Sequence, residues 1–382
     1  MPFAGDRVHK SWVVAVRIIY SYNKKGFEAK YWYKEIAGAS DHDCQFIPFN
    51  HGDYLDPNRY IRAQLLDELY VEEHPALFRM YKDFSSLIRS ANAEAVIVDT
   101  CPPYHPEFLR TINLIKVLRT GDGPLSAYDR DFAYVHAYDL VLYHSPAYSR
   151  DLTMDAKLQY CGAKRMHFWP MALFDAMHDP SKDEEALFGQ QRDQDVVFVG
   201  ALFPNKMPLL AAVKKALGRR LQLCGLAGWK KNVYFNLKYG FPGWVSPIAG
   251  EQYVPLYQRA KIGINVHNRG KYTMGNYRLF ELPGNGVMQI SDGGEYLSEL
   301  FKVGQEIESY ETIEELIEKV KFYLAHDEAR ERIARAGYRR VMRDHRIAYR
   351  LRDAGRVIDS VLLGTYSNNG LKKCSGVTET SQ

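Results

Sequence analysis

The stretch KYTMGNYRLFELPGNGVMQISD, residues 271–292, predicts one βαβ step of a parallel sheet. Its middle part, NYRLFELPG, is predicted as a short helix, which the PGNG tetrapeptide of residues 283–286 ends before the apolar run GVMQISD. The apolar run KIGINVH, residues 261–267, is predicted as the strand that precedes this helix. Because a helix between two apolar strand segments is the repeating unit of α/β folds, the stretch indicates the fold class.

The same alternation of short apolar runs and longer amphipathic segments extends over most of the chain. Strands are predicted at 12–22, 44–49, 93–99, 115–119, 138–144 and 165–170 in the first half, and at 195–200, 221–225, 261–267, 286–292 and 305–310 in the second. Each half therefore predicts a doubly wound, Rossmann-like domain. Two such domains would face each other across a cleft, because open α/β sheets bind ligands at the carboxyl ends of their strands.

A polar, highly charged stretch separates the two sets of strands and is predicted as a linker. The predicted division is an N-terminal domain at 1–176, the linker at 177–194, a C-terminal domain at 195–345, a C-terminal helix at 346–364 and a disordered tail at 365–382.

Composition narrows the functional class without deciding it. The chain has 50 Lys and Arg against 46 Asp and Glu, a formal net charge of +4, so no global basic field calls for nucleic acid. Its five cysteines are scattered and lack CxxC spacing, which argues against a disulfide framework or a thiolate zinc site and favours the cytoplasm. No apolar run approaches the roughly 20 residues of a membrane span, and the start has no signal-peptide layout.

The predicted helix after residue 275 carries a charged pair. Arg278 and Glu281 are three residues apart and so share a helix face. An arginine there can bind phosphate through two hydrogen bonds, and a glutamate can accept hydrogen bonds from two neighbouring hydroxyl groups, as in a ribose. The alternative is an exposed ion pair worth a few tenths of a kcal/mol.

A second candidate lies in DVVFVGALFPNKMPLLAAV, where a strand ends at Gly200 and Lys206 precedes a helix. A helix start offers unpaired N–H groups, and a lysine beside it adds a point charge for a diphosphate. The motif is neither a Walker loop nor a GxGxxG turn. A solvated lysine on a connecting loop is the alternative.

Several segments together resemble a known family. VPLYQRAKIGINVH, GNYRLFELPGNGVMQISDGG and the run from YLSELFKVG to YRRVMRDH resemble, in order, the C-terminal half of CgeB-like glycosyltransferases of the group 1 assembly, which has the GT-B fold. DVVFVGALFPNK and CGAKRMHFWPMALF are similar to further segments of that family, as are AEAVIVDTCPPYHPEFL and GDGPLSAYDRDFAYVHAYDLVLYHS. The resemblance covers most of residues 90–350.

The resemblance implies transfer of a sugar from a nucleotide-diphosphate-sugar donor, such as a UDP- or GDP-sugar, to an acceptor on the first domain. Glu281 would hold the donor ribose, Arg278 and Lys206 would neutralise the diphosphate, and the C-terminal helix would cross back onto the first domain. Asn276, Tyr277 and Gly200 are predicted to complete the donor site. No cofactor is implied, and no carboxylate cluster or histidine pair at ligand spacing predicts a metal.

One position departs from the family pattern. Many retaining members have an acidic residue eight positions before the helix glutamate, where this chain has Thr273. A retaining enzyme of this kind needs no protein base, because the leaving phosphate can take the proton, whereas an inverting enzyme needs one. The predicted catalytic candidates are Asp99, His105 and Asp122, each of which could instead cap a turn or start a helix.

Three readings of the function remain open. The first is a metal-independent glycosyltransferase, predicted to be retaining, whose acceptor is a small molecule, a glycan or a hydroxymethylated pyrimidine in DNA; the lysines at 24, 25, 30 and 34 could follow a DNA backbone. The second is a nucleotide-sugar epimerase, and the third is a non-catalytic nucleotide-sugar binder. The sequence does not indicate the oligomeric state.

Overall fold

The computed structural model describes residues 15–56, 62–99, 103–120, 130–149, 152–225, 228–267 and 275–367. Within these ranges the chain forms two six-stranded sheets in which every paired strand runs parallel to its neighbour. The predicted catalytic candidate Asp122, the departure at Thr273 and most of the predicted tail lie outside the described residues.

The first sheet has the order β2-β1-β3-β4-β5-β6. Its strands are β1 (Val16–Tyr22), β2 (Cys44–Asn50), β3 (Ala95–Val98), β4 (Ile115–Arg119), β5 (Leu140–Tyr143) and β6 (Met166–Phe168). The helices of this half are α1 (Gly26–Gly38), α2 (Ala63–Val71), α3 (Pro75–Ala91), α4 (Pro106–Thr111) and α5 (Met154–Tyr160). All four residues of β3 and all four of β5 are buried, as expected of strands with helices on both faces of a sheet.

The second sheet has the order β12-β11-β10-β7-β8-β9. Its strands are β7 (Gln194–Val199), β8 (Leu221–Gly225), β9 (Val245–Pro247), β10 (Ala260–Asn265), β11 (Met288–Asp292) and β12 (Glu308–Tyr310). The helices are α6 (Glu184–Gly189), α7 (Met207–Leu217), α8 (Trp229–Tyr239), α9 (Tyr253–Arg259), α10 (Arg278–Gly284), α11 (Gly294–Leu300), α12 (Ile313–Ala325), α13 (Asp327–Asp344) and α14 (Ile347–Leu362).

Helix α14 returns to the first sheet, as the resemblance implied. Its buried residues Leu351 and Ile358 belong to the same apolar core as Ile18 of β1 and Phe46 of β2. The approach is close at Gly355, where an added Cβ would lie 2.3 Å from the sulfur of Cys44. The two halves therefore share one core at this end of the molecule.

The architecture confirms the predicted fold class of two doubly wound α/β units. Of the twelve strands in the described ranges, eleven coincide with predicted segments and β9 does not; β6 and β12 are equally short edge strands, but β9 alone of the three ends in a proline. None of the helices in the described part of the chain combines the length and apolar composition that a bilayer crossing requires.

Candidate functional site

The candidate site lies where neighbouring strands of the second sheet end. Strands β11, β10, β7 and β8 are adjacent in that order, so their carboxyl ends meet at one edge of the sheet. The segment after β7 carries Lys206, and α10, which connects β10 to β11, carries Arg278 and Glu281. The fold therefore brings Lys206 to the same sheet edge as Arg278 and Glu281, which lie 72 and 75 positions further along the chain.

Lys206 is a buried lysine that forms no ion pair within the part of the chain that the structure describes, although the charge of Asp292 lies close enough to attract it. It ends a 3₁₀ turn, Pro204–Lys206, that leads into α7, and its side chain is 1% exposed. Its ammonium nitrogen has no hydrogen-bond partner and lies 5.9 Å from the ring centre of Phe198 and 5.6 Å from that of Phe203. Burial, assisted by the charge of Arg278, lowers the pKa of Lys206 to about 7.

Arg278 supplies a second cation to the same place. Its guanidinium donates hydrogen bonds to the carbonyls of Val199 and, at 3.4 Å, Val266, and lies 5.4 Å from the ring centre of Phe198. Burial lowers its pKa despite the nearby tyrosines and acids. The two cations thus lie over one aromatic ring, and a bound anion would relieve the repulsion between them.

Gly200 makes room for this guanidinium. It has φ +152°, and a Cβ added there would lie 2.1 Å from Arg278 Nη1. The backbone N–H of Gly200 donates to the carbonyl of Cys224 at 2.9 Å, so it continues the sheet. The role that this geometry supports for Gly200 is to leave space for Arg278.

Glu281 lies one helical turn beyond Arg278 and makes a separate contact. Its carboxylate accepts a hydrogen bond of 3.1 Å from the buried Tyr257 hydroxyl of α9. Burial raises the pKa of Glu281 to about 7, although the Tyr257 hydrogen bond and the Arg278 charge oppose the shift. The exposed ion pair considered as an alternative is not formed, since Arg278 donates to backbone carbonyls instead.

Asn276 and Tyr277 have structural contacts in addition to their predicted role. The Asn276 side chain accepts from the N–H of Leu279 at 3.0 Å, which caps the start of α10, and donates to Asn265 at 3.0 Å. The Tyr277 hydroxyl accepts a 3.0 Å hydrogen bond from Arg119 of β4. Tyr277 therefore links the two halves across the cleft.

The first-domain candidates are engaged elsewhere. Asp99, which follows β3 and is 3% exposed, forms a buried ion pair with Arg119. His105 caps α4 by accepting from the N–H of Glu107 at 3.2 Å, and its other ring nitrogen lies 3.1 Å from Asp67. The contact of His105 is the helix-capping alternative named for it, whereas the ion pair of Asp99 was not among the alternatives.

A histidine and an aspartate at this edge were not predicted. His267 follows β10 and Asp292 ends β11; His267 Nδ1 lies 2.6 Å from Asp292 Oδ1, and the His267 N–H donates to both carboxylate oxygens. The His267 side chain is 1% exposed, and its Nε2 has no partner. The signal was present in the sequence, because each of the two residues is the polar last residue of a predicted apolar strand.

Among the described residues, one cluster has ligand atoms close enough for a metal ion, Asp41, His42 and Asp43. This cluster precedes β2, at the amino end of the strand, and Asp41 already accepts hydrogen bonds from backbone N–H groups. It lies at the opposite edge of its sheet from the strand ends that face the cleft, so it belongs to no part of the candidate site.

A known protein family matches the part of the chain that contains the candidate site. Residues 206–354, which contain Lys206, Arg278 and Glu281, match the family described as glycosyl transferase-like. No curated protein matches the sequence significantly. The match confirms the predicted enzyme class, a glycosyltransferase, and leaves the CgeB-like subtype a prediction.

Solved structures share the fold at low sequence identity. Sucrose-phosphate synthase from Thermosynechococcus elongatus is similar with a TM-score of 0.59 and 13% identity, over 91% of this chain and 100% of that one. Anabaena HepE in complex with UDP and glucose is similar with a TM-score of 0.56 and 10% identity, over 90% of this chain and 100% of that one. A glycosyltransferase from Rickettsia africae is similar with a TM-score of 0.54 and 13% identity, over 91% of this chain and 99% of that one. These likenesses confirm the GT-B architecture.

Proposed function

We propose that this protein transfers a sugar from a nucleotide-diphosphate-sugar donor to an acceptor held by the first domain. The observation that carries the proposal is the unpaired Lys206 ammonium beside the Arg278 guanidinium, at the strand ends of a glycosyl transferase-like region. Burying a cation without a directly paired anion is unfavourable by several kcal/mol. A site that keeps the Lys206 amine beside a second buried cation, with Asp292 and Glu281 as the acids that attract them, is suited to a ligand with concentrated negative charge.

A bound diphosphate supplies this negative charge in the ground state, and its charge increases in the transition state. When the bond between the sugar and the diphosphate breaks, negative charge grows on the leaving phosphate and positive charge on the sugar. Lys206 and Arg278 stabilise the first of these charges, and they are already in place before the reaction. Phosphate binding also raises the pKa of Lys206 again, because the anion favours the protonated amine.

Glu281 is proposed to hold the donor ribose. Its carboxylate is kept in place by Tyr257 and retains accepting positions for two vicinal hydroxyls. Its pKa of about 7 means that it is half ionised near neutral pH in the absence of donor. Ribose hydroxyls that donate to it favour the ionised form, so donor binding is expected to release a proton here.

The reaction is proposed to retain the anomeric configuration and to need no metal. Among the described candidates for a protein base, Asp99 is paired with Arg119 and His105 caps a helix. A retaining route in which the leaving phosphate accepts the acceptor proton requires no such base. The two cations replace the charge neutralisation that a divalent ion supplies in other sites.

A thermal-shift panel tests donor binding directly. UDP, GDP and their glucose conjugates are compared with uridine, guanosine and pyrophosphate, each with and without EDTA. We expect at least one nucleoside diphosphate to raise the melting temperature by the mass-action amount for a native-state ligand, unchanged by EDTA, while its nucleoside does not. A panel in which no diphosphate stabilises the protein would refute the proposal.

Incubation of the stabilising donor then separates the three readings. Release of nucleoside diphosphate together with a glycosylated acceptor identifies the transferase, and the anomer formed reports retention or inversion. A new nucleotide sugar without transfer identifies an epimerase, and binding without any turnover identifies a non-catalytic binder. If DNA is the acceptor, activity falls steeply with added salt.

A further inference from the structure

Helix α8 exposes a row of large apolar side chains. Trp229, Val233 and Leu237 are 66%, 40% and 83% exposed, and they are spaced four residues apart. Residues with this spacing lie on one helix face, so the three form a continuous row, here named the α8 stripe. Trp244, which follows the helix, is also 53% exposed.

The α8 stripe is not needed to pack the helix against the core of its own domain. The opposite face of α8 attaches the helix to the domain: Phe235 is buried in the apolar core, and the buried Asn232 side chain bonds to both the N–H and the carbonyl of Val245, at 2.8 and 3.0 Å. The stripe points away from these contacts. An exposed row of this size is typical of a surface that meets an apolar partner.

The charge on α8 is one-sided, because the helix has three lysines and no Asp or Glu. The longer segment 196–250 also lacks Asp and Glu, whereas the whole chain is nearly balanced; its eight basic residues include the buried Lys206 of the candidate site. Three of these basic residues, Lys230, Lys231 and Lys238, lie on α8 and are exposed. A partner that fits must therefore be apolar on one side and anionic beside it.

We propose that α8 binds the surface of a membrane that contains anionic lipids. The α8 stripe would enter the boundary between headgroups and acyl chains, and the three lysines would contact the lipid phosphates. Nucleic acid fits less well: the exposed rings of Trp229 and Tyr234 could stack on bases, but the exposed aliphatic side chains of Val233 and Leu237 gain nothing from stacking. Since α8 begins directly after the carboxyl end of β8, the stripe starts at the sheet edge that faces the cleft.

Vesicle flotation of the full-length protein tests this surface. Vesicles of phosphatidylcholine alone are compared with vesicles that also contain phosphatidylglycerol. The stripe variant is Val233→Gln/Leu237→Gln, and its matched control, Leu362→Gln/Leu363→Gln, removes two exposed apolar side chains from the end of α14.

A second pair of variants tests the charge. Lys230→Gln/Lys231→Gln/Lys238→Gln removes the lysines of α8, and its control removes the same charge from the exposed lysines at 25, 30 and 34. All four variants are first checked for a wild-type circular dichroism spectrum and melting temperature.

We expect the wild type to bind the anionic vesicles and to bind neutral ones more weakly. The stripe variant should lower the partition coefficient by about tenfold or more, and the α8 lysine variant by at least as much, with binding that weakens as salt is added. Both controls should bind like the wild type.

Three outcomes would overturn the proposal. The first is that the wild type does not bind anionic vesicles. The second is that the α8 variants and their controls lose equal amounts of vesicle binding. The third is that the protein binds DNA through the α8 lysines and that the stripe variant binds DNA as well as the wild type does. Because none of these measurements involves a sugar donor, failure here leaves the proposed transferase activity untouched.

Discussion

At the scale of single residues, Lys206 carries the strongest physical signal. In the unfolded chain a lysine has a pKa of about 10.4, whereas burial lowers the pKa of Lys206 to about 7 in the folded protein. The unfolded state therefore binds this proton more tightly. Protonation opposes folding increasingly as the pH falls from about 10 to about 7, and below pH 7 the effect is complete.

The variant Lys206→Met should accordingly be more stable than the wild type. Methionine fills a similar volume without a charge, so we expect the free energy of unfolding to rise by about 2 kcal/mol or more at pH 7, and the gain to shrink towards pH 10. Urea unfolding at several pH values measures this. Lys215→Met, an exposed lysine on α7, is the control and should change stability little. A Lys206→Met protein less stable than the wild type at pH 7 would contradict the argument.

Asp99 has a different role from the one that its position after a strand suggested. Its carboxylate pairs with Arg119, whose guanidinium also lies 5.1 Å from the ring centre of Trp169 and donates to Tyr277. The ion pair is almost fully buried. Removing one partner of such a pair leaves the other charge uncompensated.

We expect Asp99→Asn to destabilise the protein by about 3–5 kcal/mol, and Asp99→Asn/Arg119→Met to recover a large part of this loss. Urea unfolding gives the stability, and the transfer rate per folded molecule gives the activity. If Asp99→Asn keeps its stability but loses transfer, Asp99 is a catalytic base after all.

The sequence identified some of these residues and misassigned the environment of others. Lys206 was identified because it lies on a loop before a predicted helix start, Arg278 and Glu281 because they share a face of a predicted helix, and the family resemblance gave all three their roles. The pairing of Asp99 with Arg119 depends on two strands being neighbours, which the sequence did not specify. His267 and Asp292 also end adjacent strands, and their mutual contact became evident only with the sheet order.

At the scale of secondary structure, α10 is the element on which the site depends. It is only seven residues long and contains Pro283, so it cannot be stable alone. Packing holds it: its buried residues face the core, and α13 covers it at Gly337, where an added Cβ would lie 3.4 Å from Pro283 and 2.4 Å from the carbonyl of Glu306. The absence of a side chain at Gly337 thus lets α13 pack closely against the Glu306 carbonyl and against α10, the helix that carries Arg278 and Glu281.

Gly337→Ala should destabilise the protein by about 1–3 kcal/mol, because the methyl group collides with backbone that cannot move aside easily. Displacement of α10 should also weaken donor binding. Gly38→Ala is the matched control at the end of α1, where an added Cβ meets no atom within 4 Å, and we expect it to be neutral or slightly stabilising. The melting temperatures of both variants, measured by thermal unfolding, test this prediction. If Gly337→Ala and Gly38→Ala melt at the same temperature, the packing argument is contradicted.

The clearest local signals predicted element boundaries well. The sequence segments GFEAKYWYKEIAG, residues 26–38, and PALFRMYKDFSSLIRSA, residues 75–91, predict helices, and α1 and α3 have these same bounds. Pro75 starts α3 and Asn92 ends it in the left-handed conformation. The helices α2, α4, α5, α6 and α11 were not predicted; they have nine residues or fewer, too few for a clear period in the sequence. The eleven-residue α8 was also not predicted, and its exposed apolar face does not follow the usual amphipathic pattern.

At the scale of the whole molecule, the two sheets are joined by contacts between residues far apart in the chain. Arg119 bonds to Tyr277, and the Tyr296 hydroxyl donates to the carbonyl of His144 at 3.2 Å. The fold class was predictable because the strand and helix alternation repeats in each half. The bridging contacts could not be predicted from the sequence, since they join segments more than 150 residues apart. The exact domain boundaries stay a prediction.

Isothermal titration of UDP into the wild type, Lys206→Met and Lys215→Met tests the central claim, that the buried cations bind a diphosphate. Loss of one charge-assisted contact to phosphate should weaken UDP binding by about 10- to 100-fold in Lys206→Met. Lys215→Met should bind like the wild type, and uridine should bind the wild type far more weakly than UDP. Equal affinity of UDP for Lys206→Met and the wild type would contradict the account.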